Sequence, residues 1–304
     1  MTAAAPVTMF AAVNVLAAID FGDSSLEGLR QARALAHAVG GNLAVCHVLP
    51  GVPDVSALFP ERRPENGAEL TAEEQAARRA LVARARDKLG LELSEVFVER
   101  GPVYAEIVRR AEAWGASYIV LGSHGRTGLA RAVLGSVAER VVRHAHCSVL
   151  VARPVQKPGV VLAATDLSDA SMPAVTEGAA AAKRLGARLV VVSSIEWADA
   201  ISISAGNLIG VTSPAPTVEL KREVAAALQS TLEQSLARLG VQGEVRALEG
   251  SPATEIVRAA EELDAELVVV GTHGRTGLLR LALGSVAERV IRSAHASVLA
   301  VRVA

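Results

Sequence analysis

The sequence predicts an α/β chain of two consecutive domains, each a five-stranded parallel sheet with helices on both faces. Three observations lead there. The chain has 304 residues, and a domain takes roughly 100–200. Hydrophobic residues make up 51% but aromatics only 3%, so the core must be built from Ala, Val, Leu and Ile, which suits helices packed on a buried parallel sheet. A unit of about 145 residues is also written twice.

The repeat is plainest toward the end of each unit. Residues 122–153 and 271–302 agree without a gap at about 23 of 32 positions. Upstream, Gly101-Pro102 and the run from Ala105 to Arg109 match Gly250-Ser251-Pro252 and the run from Thr254 to Arg258. Further back, Val15-Leu16-Ala17-Ala18-Ile19-Asp20 matches Val161-Leu162-Ala163-Ala164-Thr165-Asp166. That match makes residues 15–20 an opening strand, not the apolar part of a leader, and the segment before it lacks a basic n-region. The expected domains are 1–153 and 160–304, joined by a Pro-Gly linker at 154–159.

Each unit then reads in order. The first strand ends at Asp20. A helix over 25–39 carries Leu26, Leu29, Leu35, Ala36 and Val39 at helical spacing, and Gly40-Gly41 stops it. Residues 43–49 form a second strand, and 51–67 is a Pro-rich loop. Thr71 with Glu74 is a capping box that opens a helix to 89. A third strand covers 92–99. A helix over 102–114 has Pro in its first turn. The apolar run 118–121 is a fourth strand, 136–145 a helix and 148–152 a fifth strand. The second unit repeats this order with its own variable loop at about 197–216. Alternating strands and helices imply a parallel sheet with right-handed crossovers.

Bulk properties exclude several functions. A formal net charge of −1 offers nothing to neutralise many phosphates, so nucleic acid is not expected as a partner. No apolar run reaches the roughly 20 residues of a membrane span. Two cysteines, Cys46 and Cys147, do not make a disulfide framework, and a cytoplasmic location is expected.

Ligands of such sheets bind beyond the carboxyl ends of the strands, where strand order reverses. There the first unit places Gly122, Gly125, Arg126, Gly135 and Ser136. The second places Gly271, Gly274, Arg275, Gly284 and Ser285 at the same spacing. Glycines let backbone approach a ligand. A helix N-terminus presents unpaired N–H groups and partial positive charge, and arginine binds phosphate in a bidentate manner. Taken alone, Gly122 and Gly125 read equally well as a tight turn and Ser136 as an N-cap. Neither cluster is a Walker A loop or a G-x-G-x-x-G dinucleotide loop.

The pattern Gly-x-x-Gly, nine residues, Gly-Ser, followed by Val-Ala-Glu-Arg-Val and a Ser-Val-Leu strand, resembles the nucleotide signature of the universal stress protein family, over both units. The resemblance implies two Rossmann-like domains with strand order 3-2-1-4-5. It implies ATP, often with Mg²⁺, seated on the glycine loop. The acidic residues closing the first strand, Asp20 and Asp166, are expected near ribose and adenine, with Ala18 and Ala164 lining the same pocket. Val48 is expected to meet adenine through its backbone. In the second unit Ser194-Ile195 is taken to replace His47-Val48, which puts Ile195 in that role. Leu121 and Val270 are expected against the nucleoside. Val137-Ala138 and Val286-Ala287 continue the phosphate-binding helix start, although the family often has Thr or Ser where Ala138 and Ala287 stand. The last strands of the two units are expected to pair, making the chain a pseudo-dimer. A homodimer of that chain and a regulatory protein partner complete the expected associations.

Other residues carry blander expectations. His124 and His273 are expected to hold their loops by hydrogen bonds, and His146 and His295 to be structural or surface residues. The pairs Asp20/Asp23 and Asp166/Asp169 lack a third carboxylate for a metal, so no metal site is expected. Functionally, a nucleotide-binding regulator stands against a slow ATP hydrolase or phosphotransferase, whose base would have to be His124, His273 or Asp23. It also stands against an interaction protein that binds no nucleotide.

Overall fold

A computed structural model of the chain describes residues 13–51, 70–124, 134–197, 216–273 and 283–302. The first half contains β1 (Asn14–Ala18), α1 (Asp23–Val39), β2 (Asn42–Pro50), α2 (Ala72–Leu89), β3 (Glu95–Gly101), α3 (Val103–Ala113), β4 (Tyr118–Gly122), α4 (Ser136–His144) and β5 (Ser148–Ala152). The second contains β6 (Val160–Ala164), α5 (Met172–Leu185), β7 (Arg188–Ile195), α6 (Val218–Leu239), β8 (Glu244–Glu249), α7 (Pro252–Glu262), β9 (Leu267–Gly271), α8 (Ser285–Ser293) and β10 (Ser297–Val301).

All ten strands form one sheet in the order β3-β2-β1-β4-β5-β10-β9-β6-β7-β8. Each half is parallel in the expected order 3-2-1-4-5. The halves join where β5 and β10 run antiparallel, with Leu150 opposite Leu299. The two apolar edges expected to invite pairing are therefore paired with each other inside the chain. Among the described residues, the outer edges of the sheet are β3 and β8.

Alternation along the central strands explains the composition. Leu16 and Ala18 face one core, with Ile107, Val141, Ile256 and Ile291 from α3, α4, α7 and α8. Val15 and Ala17 face the other, with Leu29, Leu81, Val175 and Leu232 from α1, α2, α5 and α6. Strands buried on both faces need continuous apolar sequence. Small residues let the helices lie close, which is why aromatics are scarce.

Local signals place most element ends. Thr71 Oγ1 accepts from the Glu74 N–H at 3.3 Å and the Glu74 carboxylate accepts from the Thr71 N–H at 2.8 Å, completing the capping box. Gly40 and Gly90 close α1 and α2 in the left-handed conformation. The third strand lies later than expected, because Leu91 turns back to bond Ala85 O, and the strand then runs on to Gly101 opposite Pro50. Pro102 is the N-cap of α3, one place before the expected N1.

The junction is tied by long-range polar contacts. Arg153, just past β5, is 5% exposed. Its guanidinium donates to Ala296 O at 3.1 Å and to Ile291 O at 2.6 Å, closing the carbonyl end of α8 in the other half. Arg302 donates to Arg143 O at 3.4 Å, reaching the end of α4 in the first half. Beside them, Arg143 reaches Glu288 and Arg292 reaches Glu139, each at 3.2 Å.

Candidate functional site

The carboxyl ends of β1 and β4 lie side by side, with Ala18 opposite Leu121. β2 continues from His47 to Pro50 beyond Cys46, the partner of Ala18. Sheets of this kind bind their ligands in the crevice at such strand ends, where the order reverses. The same construction recurs at β6, β9 and β7, with Ala164 opposite Val270 and Val192.

The turn after β1 is held stiffly. Asp20 Oδ1 accepts from the Gly22 N–H at 2.9 Å, and Asp166 Oδ1 accepts from the Ser168 N–H at 3.0 Å. Between them sit Phe21 at φ 69° and Leu167 at φ 64°. Bulky residues adopt this region at a cost of about 1–3 kcal/mol, and such cost gathers where a backbone must be aimed. Buried Ser25 and Ser171 fix each turn. Ser25 Oγ donates to Gly22 O at 2.8 Å and lies 3.4 Å from the Asp20 N–H. Ser171 Oγ donates to Ser168 O at 3.0 Å and lies 3.3 Å from the Asp166 N–H. These serines escape sequence reasoning. Their signal was available, because both stand five residues after the matched aspartates.

The base of the glycine loop is clamped at both ends. Ser123 N–H donates to Ala152 O at 3.2 Å, and Ser123 O accepts from the Gly135 N–H at 2.9 Å. Thr272 makes the matching bonds to Val301 O at 3.0 Å and from Gly284 at 2.9 Å. In both halves the loop therefore leaves β4 or β9 and returns to a fixed helix start. Gly125, Arg126, Gly274 and Arg275, expected on that loop, lie outside the described residues.

The glycines within the described residues have two different reasons. A Cβ on Gly122 would lie 2.5 Å from the backbone C and O and the Oγ of Ser24. Close packing of α1 on β4 thus demands glycine there, and Ser24 Oγ also accepts from the His124 N–H at 3.2 Å. Gly284 has φ −62° and ψ 143°, open to any residue, and a Cβ there would come no nearer than 3.3 Å to Thr272 O. Gly135 shares that conformation, at φ −65° and ψ 143°. Neither N-cap receives a side-chain hydrogen bond. The N–H groups of Ser136, Val137 and Ala138, and of Ser285, Val286 and Ala287, occupy the first turn, where a helix offers them no internal acceptor. Gly135 and Gly284 are the N-caps, which moves Ser136 and Ser285 to the first helical position.

The remaining expected residues fall as follows. Leu121 and Val270 are buried at 4% and 3% exposure under the crevice floor. Ala138 and Ala287 turn their methyls into the core, so only their N–H groups are placed for an anion. A Thr or Ser there would bury its hydroxyl in the same core. Val48 lies at the crevice edge on β2. Its counterpart requires a correction: the register sets Val15 opposite Leu43 and Val161 opposite Leu189. Counting along each strand, His47 corresponds to Ser193 and Val48 to Ser194. Ile195 is one residue too far, and a one-residue slip turns a side chain to the other face. Ser194 Oγ donates to Gly250 O at 2.7 Å, whereas His47 Nδ1 lies 2.6 Å from Ile19 O.

Asp23 stands at the first position of α1, its side chain wholly exposed, and Gly22 is the N-cap, so it does not cap the helix. Among the described residues no group of three or more His, Cys, Asp or Glu is placed to hold a metal. Cys46 and Cys147 are both pushed up to about 12 by burial, which keeps them as unreactive thiols. No helix among the described residues is long and apolar enough to cross a membrane.

A family profile described as the Universal stress protein family matches residues 13–153 and 159–302. A universal stress protein of Mycobacterium tuberculosis is 31% identical over 280 residues, covering 88% of this chain and 85% of that one. Another, from Methanocaldococcus jannaschii, is 36% identical over 138 residues, covering 45% of this chain and 78% of that one. Among solved structures, a universal stress protein of Archaeoglobus fulgidus superposes with a TM-score of 0.64 at 21% identity, covering 95% of this chain and 98% of that one. A functionally unknown protein of Pseudomonas aeruginosa superposes with a TM-score of 0.65 at 20% identity, covering 96% and 92%. At these identities the structural likeness is one of fold.

Proposed function

The chain belongs to the universal stress protein family, and from that premise we propose that it is a regulator that binds an adenine nucleotide, ATP, in each half. One observation carries this proposal. In both halves a helix begins without a side-chain cap behind a loop whose two ends are clamped, and its N-cap is a glycine that the backbone conformation does not require. A glycine N-cap without a side-chain cap, and a first turn whose N–H groups have no acceptor within the helix, suit a phosphate chain, as does the positive end of the helix dipole. The crevice over Ala18, Leu121 and Val48, and over Ala164, Val270 and Ser194, would take the nucleoside. Asp20 and Asp166 would reach the ribose. Mg²⁺, where present, would ride on the triphosphate, since no protein cluster is built for it among the described residues.

Occupancy can act on the whole molecule because the phosphate-binding helices meet across the junction. α4 and α8 present their N-termini to the two crevices, and their charged faces meet through Arg143–Glu288 and Arg292–Glu139. These pairs are half-exposed and each stabilises by less than about 1 kcal/mol, so they suit adjustment more than rigid attachment. A nucleotide that prefers one arrangement of α4 and α8 would shift the population toward it, and with it the surface offered to a protein partner.

The test is direct. The chain is purified without added nucleotide and denatured, and the supernatant is chromatographed. ATP released at up to two equivalents per chain supports the proposal. An empty extract together with no heat on titration with ATP would sink it.

A further inference from the structure

His124 and His273 occupy corresponding places, each one residue after the carbonyl that holds the next helix's N-cap. Each Nδ1 meets the preceding hydroxyl, Ser123 Oγ at 2.7 Å and Thr272 Oγ1 at 2.9 Å. Each Nε2 is buried and has no hydrogen-bond partner among the described residues. In a fold that pairs nearly all its buried polar atoms, the same orphan in both halves calls for a reason.

The hydrogen bonds of Thr272 fix the proton. Its hydroxyl lies 3.2 Å from Val301 O, and a carbonyl can only accept. The hydroxyl proton goes there, so His273 Nδ1–H donates to Thr272 Oγ1. In a neutral ring the other nitrogen then carries a lone pair. The opposite tautomer would bury an unbonded N–H, the rarer kind of orphan, and forgo one hydrogen bond of about 1 kcal/mol. Burial, and the positive charge of Arg302 at the end of β10, push His273 below the ordinary histidine range. Both effects favour the uncharged ring. Among the described residues Arg302 is the charged group acting on it, and its own Nε is likewise buried without a partner among them.

A lone pair one residue beyond the carbonyl that holds the helix start is wrong for phosphate, whose oxygens also accept. One proton removes the conflict. We propose that His273 takes a proton from solvent when a phosphate-bearing ligand seats on the adjacent helix start, so that the imidazolium Nε2–H donates to the anion. The anion also offsets the repulsion from Arg302. No bond to carbon or phosphorus changes, so His273 is a positioning residue for binding. This inference rests on the nucleotide reading above and deepens it.

Calorimetric titration of the full chain with ATP, between about pH 6.5 and 8.5 and in buffers of different ionisation enthalpy, tests it. His273→Asn keeps an amide donor for the hydroxyl but loses the titrating nitrogen. Proton uptake by ATP's own phosphate is common to parent and variant, so the difference between them is the readout. The expected result is extra proton uptake in the parent chain and affinity falling by up to about tenfold per pH unit as pH rises, with both effects absent in the variant. Equal uptake in parent and variant, with ATP bound, overturns this inference alone. No ATP binding at any pH overturns the nucleotide reading and this inference with it. Nitrogen NMR of the parent chain covers the case of a variant that does not fold. His273 Nε2 should be unprotonated in the free protein and protonated with ATP, and a protonated Nε2 in the free protein at neutral pH would contradict the proposal.

Discussion

Alanine at 122 and alanine at 284 separate the two reasons for a glycine in this site. At 122 the new methyl would sit 2.5 Å from the backbone of Ser24. Backbone yields poorly, so α1 must move off β4. Overpacking of this kind costs about 1–3 kcal/mol. The shift also loosens the bond from the His124 N–H to Ser24 Oγ, 3.2 Å long, worth about 1 kcal/mol more. A total near 3 kcal/mol should lower the melting temperature by roughly 6–12 °C. At 284 the backbone already suits alanine, and the nearest atom to its Cβ is Thr272 O at 3.3 Å. The entropic gain of alanine over glycine, about 0.4–1 kcal/mol, roughly cancels its poorer N-capping. Stability should thus change by under about 1 kcal/mol. The methyl would nonetheless stand where phosphate must approach the helix start, and ATP affinity at that half should fall at least about tenfold, or ~1.4 kcal/mol. Scanning calorimetry and ATP titration of both variants provide the readouts. Equal destabilisation by the two substitutions would show that Ser24 does not require glycine at 122, and full ATP affinity in Gly284→Ala would show that no phosphate meets that helix start.

Other expectations follow from the same contacts. Asp264 ends α7 in the left-handed conformation at φ 48°, where Gly115 stands after α3; Asp264→Gly should stabilise by about 1 kcal/mol in thermal melts, since its exposed ion pair with Lys157 is worth little. Arg153→Met removes the two bonds that close α8 from the other half. The buried guanidinium already bears a desolvation penalty that lowers its pKa to about 10, so the net loss in urea unfolding should be about 2 kcal/mol, with the halves unfolding less cooperatively. Thr71→Ala breaks the capping box and should cost about 1 kcal/mol. Because the folded protein lowers the His273 pKa from 6.5, the unfolded chain binds the proton more readily. His273 should therefore lower stability as pH falls below about 6.5, and His273→Asn should flatten melting curves measured across that range.

Much of this was legible in the sequence because duplication writes each signal twice. The strands show as apolar runs bounded by glycine, Thr71 and Glu74 declare their helix start, and the last strands announce a paired edge. What stayed hidden depends on contacts distant in sequence. The identity of Ser194 as the partner of Val48 is decided by sheet register, and no marker residue in β7 reveals it, so an apolar match at Ile195 misled by one position. The positive φ of Phe21 and Leu167 cannot be read from bulky residues, which ordinarily avoid that region. Gly122 looked like a ligand-facing glycine, yet the packing of Ser24, far away in the chain, requires it. Arg153 and Arg302 look like surface residues after a strand until the two halves are brought together, when each closes a helix of the other.

Equilibrium titration of the intact chain with ATP decides whether each helix start holds a nucleotide. Saturation at two equivalents per chain is predicted, with unequal affinities because one crevice has His47 and Val48 where the other has Ser193 and Ser194. Absence of saturable binding would rule out both sites.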